Sequence, residues 1–224
     1  MRRINGLLLG ALVLLATTVS YSATAPAYDA STKFDTAIEN TVFEFYVNLY
    51  KYLFDALDKT SDLLESVLKD DTIMPNNNIN QTKELLQNYI AETKERRKPP
   101  PKNVTNLDGF LCIVANIHTI NLFGDIVKRY NTTSLPTPSD EVRLIEAALK
   151  RHGLDELINH LKIRKTEFIN EFLRKMDIAV TNLSEVDKIK CHKLVEWYQN
   201  YRNSTEEQRA NDVFTHFAHL LARF

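Results

Sequence analysis

The sequence predicts an all-α fold, a single-domain bundle of six to eight helices with one disulfide, and three observations support this. All seven prolines stand between segments of apolar three-to-four-residue rhythm, where proline ends helices without interrupting them. No segment alternates apolar and polar residues as a half-buried strand does. The two cysteines, Cys112 and Cys191, are an even number, which favours one disulfide in an oxidising compartment.

The N-terminus predicts secretion. Arg2 and Arg3 precede the apolar run Leu7–Ala16, and Ser20 and Ser22 are the small residues that a signal peptidase requires. The run is too short for a membrane anchor, because a helix needs about 20 apolar residues to cross a bilayer. We therefore expect residues 1–22 to be a signal peptide. Residues 23–224 should form a soluble, extracellular helical domain with no membrane span.

Composition argues against several classes of function. The net charge is −1, and loss of the two arginines with the signal peptide makes it about −3, which disfavours nucleic acid as a partner. Only Gly109, Gly124 and Gly153 follow the signal peptide, too few for a glycine-rich phosphate loop or a nucleophile elbow. We therefore predict that the protein is not an enzyme and has no cofactor.

Two covalent modifications are predicted for an extracellular protein. Five N-x-S/T sequons, which are acceptors for N-glycans, fall at helix boundaries or in loops of the predicted fold. They are Asn80, Asn103, Asn131, Asn182 and Asn203. A disulfide between Cys112 and Cys191 would close a loop of roughly 80 residues, worth about 4.5 kcal/mol in the chain-entropy model. Two buried free thiols are the alternative.

The first two predicted helices differ in character. The first starts near Ser31 and keeps its apolar rhythm for over six turns, with a break or bend expected near Asp58–Ser61 before a shorter continuation. A loop over residues 70–79 follows. The second helix, Gln81–Arg97, is mostly polar with a narrow apolar stripe, so it should lie on the surface until three prolines end it.

The third and fourth predicted helices have clear boundaries. The third, Leu107–Tyr130, has no charged residue between Asp108 and Asp125, so we expect it to be the central and most buried helix. Thr137 should cap the fourth helix, which Gly153 should end in a left-handed conformation.

Three further helices complete the predicted bundle. Asp155 should cap the fifth, and Ser184 with Asp187 should cap the sixth. Ser204 and Glu207 form a capping box before the last helix. That helix has an apolar face and should dock firmly despite being terminal.

No histidine arrangement predicts catalysis or metal binding. His216 and His219 share one side of the last helix, but nothing nearby supplies the remaining ligands. His118 lies in the most apolar helix, where a hydrogen-bonded core or interface histidine is the plainer interpretation. We therefore predict no metal site and no catalytic residue.

The first helix is apolar over more than the usual third of its circumference, and something must cover the excess. Three explanations are open: the helix runs through the middle of the bundle, it forms a partner surface, or it lines a pocket for an apolar ligand. For a partner surface the predicted anchors are Tyr46, Tyr50 and Phe54, because aromatic residues dominate binding hot spots. For a pocket the predicted lining residues are Phe45, Leu49, Ile117 and Ile120.

The predicted function is binding. We expect a secreted, N-glycosylated helical protein that binds an extracellular protein partner. The alternative is a carrier of a lipid or another hydrophobic small molecule. The basic run Lys94–Arg97 before the prolines is a weaker candidate for proteolytic processing after Arg97, since the helix dipole also favours basic residues there.

Overall fold

The computed structural model describes residues 36–97, 107–190 and 192–205. In these ranges 85% of the residues are helical and no strand is present, so the predicted all-α class is confirmed. Several predictions lie outside the described residues: the signal peptide, the start of the first helix, the last helix with Glu207 of its capping box, and the proline triplet. The same holds for Asn103, Cys191, His216 and His219.

Seven α-helices and two short 3-10 helices follow one another along the described ranges. The α-helices are α1 Thr36–Leu68, α2 Asn80–Arg96, α3 Leu107–Arg129, α4 Asp140–Arg151, α5 Leu154–Thr181, α6 Glu185–Lys190 and α7 His192–Asn203, and the 3-10 helices are Asn77–Ile79 and Thr132–Ser134. The predicted bounds of α2 and α3 agree with these to within one residue.

The chain groups into two compact units, which we describe separately. Of the described residues, those in 36–45 and 169–205 belong to one unit, and those in 46–168 belong to the other. The division falls within α1 and within α5. A single domain over residues 23–224 stays a prediction.

The helix α1 is continuous, so a break near Asp58–Ser61, one of the two predicted alternatives, is wrong. The side chain of Thr60 bonds within the helix instead of ending it. The hydroxyl of Thr60 donates to the carbonyl of Ala56 at 2.7 Å, and both Thr60 and Ser61 are fully buried. Helical stability comes mainly from packing of the buried face, which here runs through the polar stretch.

The unit of residues 46–168 has a core built from α1–α5 and the loop after α1. In this unit α2 and α3 run antiparallel: the rings of Tyr89 and Phe123 lie 5.9 Å apart, and the hydroxyls of Thr82 and Tyr130 are 2.7 Å apart. The predicted apolar stripe of α2 is buried against this core. Its other side is exposed, as the polar composition predicts.

Cap geometry sets the junction between α4 and α5. The side chain of Ser139 accepts from the amide of Val142 at 3.3 Å, so the cap lies two residues after the predicted Thr137. Gly153 has φ +96°, as its predicted left-handed role requires. Helix α5 then begins at Leu154, immediately after Gly153, so Asp155 lies in its first turn and is not its cap.

The other unit is held together by aromatic and polar contacts among α1, α5 and α7. The ring of Phe172 lies 4.5 Å from that of Phe45 and 6.5 Å from that of Tyr201. The hydroxyl of Tyr198 donates to the carbonyl of Leu173 at 3.1 Å. The aromatic side chains in these contacts, Phe45, Phe172, Tyr198 and Tyr201, are buried.

The predicted sixth helix is helical on both sides of residue 191, which lies outside the described residues, and we label the two parts α6 and α7. Its predicted cap is confirmed: the amide of Asp187 donates to the hydroxyl of Ser184 at 3.1 Å, and that hydroxyl donates to the Asp187 carboxylate at 2.6 Å. Arg202 of α7 lies 3.1 Å from Asp177 of α5. The end of α7 therefore lies beside the last turns of α5.

Candidate functional site

The predicted partner anchors lie mostly inside the protein. Tyr46 and Tyr50 have only 3% and 5% of their surface exposed, and Phe54 is half-buried. The rings of Tyr50 and Phe54 stack at 6.5 Å, and Tyr50 is hydrogen-bonded to the thiol of Cys112. Burial is the main cause that raises the pKa of Tyr46 and of Tyr50. A surface role for these two tyrosines is therefore corrected, because packing inside the fold covers them.

Phe43 is an aromatic residue of α1 that is exposed, over 47% of its surface. Sequence reasoning missed it as an anchor because it stands in an aromatic run that occupies several sides of the helix. Phe43 differs from Phe45 and Tyr46 in its exposure, and this difference is visible only in the structure.

The predicted pocket residues differ in their surroundings. Phe45 and Leu49 are buried, whereas Ile117 and Ile120 are half-buried. Phe45 is packed closely by the ring of Phe172. Its apolar surface is thus covered by the protein's own side chains.

An open groove of about 370 Å³ lies between α1 and α2. Its apolar part comes from Leu68, Ile90 and Ala91, and its charged part includes Glu65 and Lys94, which form an ion pair at 3.0 Å. None of the four predicted pocket residues lines this groove.

Helix α3 is apolar but leaves a narrow stripe exposed, which corrects the expectation that it is the most buried helix. In its apolar segment Leu111–Arg129, five of the 19 residues are buried and nine are half-buried. Leu111 is 45% exposed, and His118 is exposed and is not a core residue. Apolar composition indicates which helices can be buried. How much of each helix is buried depends on how many other helices pack against it.

By length and composition alone, the segment Leu111–Arg129 is sufficient to cross a membrane. The expected absence of a membrane span stays a prediction. A core helix of a folded domain passes the same test. Helix α3 contributes Phe123 and Ile126 to the core, and the hydroxyl of Thr119 donates to the carboxylate of Glu92 on α2 at 2.8 Å.

Four of the five sequons lie in the described ranges, and each stands at a helix boundary, as predicted. Asn80, Asn182 and Asn203 are exposed. Asn131 is half-buried, and its side-chain oxygen accepts hydrogen bonds from the amide and the hydroxyl of Thr133 at 3.0 Å and 2.7 Å. The three exposed asparagines have room for a glycan, and occupancy stays a prediction.

Cys112 is half-buried on α3. Its predicted partner Cys191 lies outside the described residues, so the disulfide stays a prediction.

Asp70 is the carboxyl group whose pKa is shifted most among the described residues, and its contacts are structural. Both carboxylate oxygens of Asp70 are occupied: one accepts from the amide and hydroxyl of Thr72 at 2.9 and 2.5 Å, and the other from Arg151 and His152 at 2.5 and 2.9 Å. The hydrogen bonds from Thr72, with those from Arg151 and His152, hold the pKa of Asp70 well below its usual range. Asp70 thereby ties the loop after α1 to the end of α4.

Arg97, the candidate processing residue, is bound to α1. Its guanidinium lies 3.0 Å from the carboxylate of Asp58 and 3.6 Å from that of Asp62, and it donates to the carbonyl of Asp58 at 2.9 Å. A protease would have to displace these contacts to use Arg97.

In the described part of the chain, no group of three His, Cys, Asp or Glu side chains is placed to hold a metal ion. Comparison with protein-family models, with curated proteins and with solved structures gave no match. The best-defined feature of the candidate site is Leu111, which is exposed on the apolar helix α3.

Proposed function

We propose that the protein is a secreted, N-glycosylated binding protein that recognises an extracellular protein partner through the outer side of α3. The observation that carries this proposal is the 45% exposure of Leu111, a large apolar side chain on an apolar helix. Exposed apolar surface with further apolar side chains beside it is typical of an interaction site.

The neighbouring side chains support a surface of this kind. Val114 and Ile117 follow Leu111 at spacings of three residues and are half-buried, so they add apolar area beside it. His118 and Asp125 are exposed further along the same helix and supply a polar margin. An apolar centre with a polar rim is the usual anatomy of a protein interface.

The experiment is capture of partners from extracellular fluid by the immobilised, glycosylated protein. We expect Leu111→Asp to weaken capture of the recovered partner at least about tenfold, because a carboxylate cannot be buried there without a partner of its own. Binding measured with the purified partner gives the ratio. Unchanged affinity of Leu111→Asp would contradict the proposed site.

Leu135→Asp is the matched control. Leu135 is 40% exposed, close to the value for Leu111, but it lies in the loop after the second 3-10 helix and not on α3. It should bind like the wild type. Both variants should unfold within about 0.5 kcal/mol of the wild type, since neither side chain is buried, so that lost binding cannot be assigned to unfolding.

A further inference from the structure

The sequon at Asn80 combines an exposed asparagine with a buried hydroxyl. Asn80 is exposed at the start of α2, whereas Thr82, which completes its N-x-T motif, has only 2% of its surface exposed. Side chains two residues apart on an α-helix lie about 200° apart around its axis, so these two point to opposite sides of α2. An enzyme that recognises the motif must contact the asparagine and the hydroxyl together. The folded helix keeps them apart.

The hydroxyl of Thr82 is also held by two partners that follow it in the chain. It donates to the carboxylate of Glu141 in the first turn of α4. Because its proton is used there, the hydroxyl of Tyr130 donates to it at 2.7 Å. Tyr130 lies directly after α3 and is itself buried. To reach Thr82, an enzyme would have to break both hydrogen bonds and pull the start of α2 away from these partners.

The sequon at Asn203 is arranged differently. Asn203 is the final residue of α7 and is exposed. Thr205, which completes this motif, lies beyond the end of the helix and is exposed as well. Neither side chain has to leave a packed interior to meet an enzyme. The folded protein therefore presents this sequon but not the one at Asn80.

We infer that Asn80 accepts a glycan only while the chain is unfolded, whereas Asn203 remains an acceptor after folding. The inference deepens the proposed function, since it rests on the proposed N-glycosylation. The co-reactant is an oligosaccharide linked to a lipid pyrophosphate. The carboxamide nitrogen of the asparagine bonds to C1 of the first sugar as the bond from C1 to the pyrophosphate oxygen breaks, and one amide proton passes to a base of the enzyme.

The positions of the partners in the chain determine when Asn80 can be modified. Tyr130 and Glu141 follow Thr82 by 48 and 59 residues. At about 5–20 residues per second, synthesis of these intervening segments takes roughly 2–12 s. The Thr82 hydroxyl lacks both partners during that interval, so the enzyme can bind it. The glycan then remains on the exposed side of α2 when the chain folds.

The test compares glycan addition to the full-length wild-type chain during synthesis and after folding. In the first arm, the chain is translated into microsomes. In the second arm, folded protein that was secreted without glycans is incubated with purified oligosaccharyltransferase and the lipid-linked oligosaccharide. We expect mass spectrometry of glycopeptides to find Asn203 modified in both arms. Asn80 should be modified in the first arm, with at least about tenfold lower occupancy in the second.

Two variants of α4 show whether the fold is the barrier in the second arm. Ile145→Asp places a carboxylate where the side chain has no exposed surface, so it should unfold the chain without altering either sequon. This variant should gain a glycan at Asn80. Ala147→Asp introduces the same residue at an exposed position of the same helix, so it should fold and behave like the wild type. Circular dichroism reports which variants are folded.

Equal occupancy of Asn80 in the two wild-type arms would overturn the inference. So would an unmodified Asn80 in the first arm, or an unmodified Asn203 in the folded protein. The wild-type comparison decides even if Ile145→Asp still folds. Partner binding is not measured in either arm, so failure of the proposed partner interaction and failure of this inference are distinguishable.

Discussion

At the scale of single residues, Asp70 shows how one carboxylate can join two segments that are distant in sequence. Its partners come from the adjacent turn, through Thr72, and from the end of α4, through Arg151 and His152. We expect Asp70→Asn to lower the free energy of unfolding by about 1.5–3 kcal/mol, the range for hydrogen bonds that involve charged groups. Urea unfolding at neutral pH measures this loss.

The same carboxylate makes stability depend on pH. Because the folded state lowers the pKa of Asp70, its contribution is complete above the ordinary aspartate pKa and is lost as the pH falls from about 5 through the folded-state pKa. The wild type should therefore lose more stability than Asp70→Asn between neutral and acidic pH. Asp71→Asn, at the exposed neighbouring position, should follow the wild type. Parallel curves for the wild type and Asp70→Asn would contradict the assignment.

The buried hydroxyl pair of Thr60 and Tyr89 tests the cost of leaving a polar group unpaired. Thr60 donates within α1, so Tyr89 donates to it across 2.7 Å. We expect Thr60→Val to cost about 1–3 kcal/mol, because the Tyr89 hydroxyl is then buried without an acceptor. Thr60→Val combined with Tyr89→Phe should recover part of that loss in urea unfolding. A double variant as unstable as the sum of the singles would refute this pairing.

At the scale of elements, the end of α4 depends on the backbone conformation of Gly153. An added Cβ would meet only ordinary contact, 3.6 Å from the Glu156 carboxylate, so the φ of +96° is the relevant constraint. We expect Gly153→Ala to destabilise the protein by about 1–2 kcal/mol, the usual cost of a left-handed conformation. Asparagine tolerates that conformation better, so Gly153→Asn should unfold at a higher temperature than Gly153→Ala. Equal melting temperatures would contradict this explanation.

The sequence predicted helix boundaries well where local residues determine them. It predicted helix continuity and burial less well, because these depend on packing against other helices. The bounds of α2 and α3 and the stop at Gly153 follow from apolar rhythm and cap residues. Continuity of α1 past Asp58 does not, because it depends on α2 burying the polar stretch. The exposed stripe of α3 is likewise invisible to composition, which does not count the helices packed around it.

At the scale of the whole molecule, the predicted contact residues also show that the sequence identifies an apolar helix but not which of its side chains are exposed. The aromatic run of α1 identified a helix with more than one covered side, yet it could not tell buried Tyr46 from exposed Phe43. The four sequons in the described ranges lie at helix boundaries as predicted, because the sequence shows both the motif and the ends of the helices. Burial at the candidate site depends on packing partners distant in sequence, which a single sequence does not reveal.

Native mass spectrometry of the secreted protein, unreduced and trimmed of glycans, tests the compartment, the modifications and the ligand together. We expect a chain beginning after Ser22, two hydrogens lighter than the reduced sequence, because Cys112 and Cys191 should pair in an oxidising compartment. Glycan release should mark sequon asparagines as aspartates, and the exposed Asn80, Asn182 and Asn203 are the sites expected to be converted.

The same spectrum separates the two binding hypotheses. Side chains pack closely around Phe45, so we expect the protein to carry no retained small molecule, and partner capture would then be the productive route. A lipid-sized mass released on denaturation would contradict this and make the carrier hypothesis the better account. Phe45→Ala then decides between a specific pocket and surface adsorption, because only a ligand held beside that ring would be lost with it.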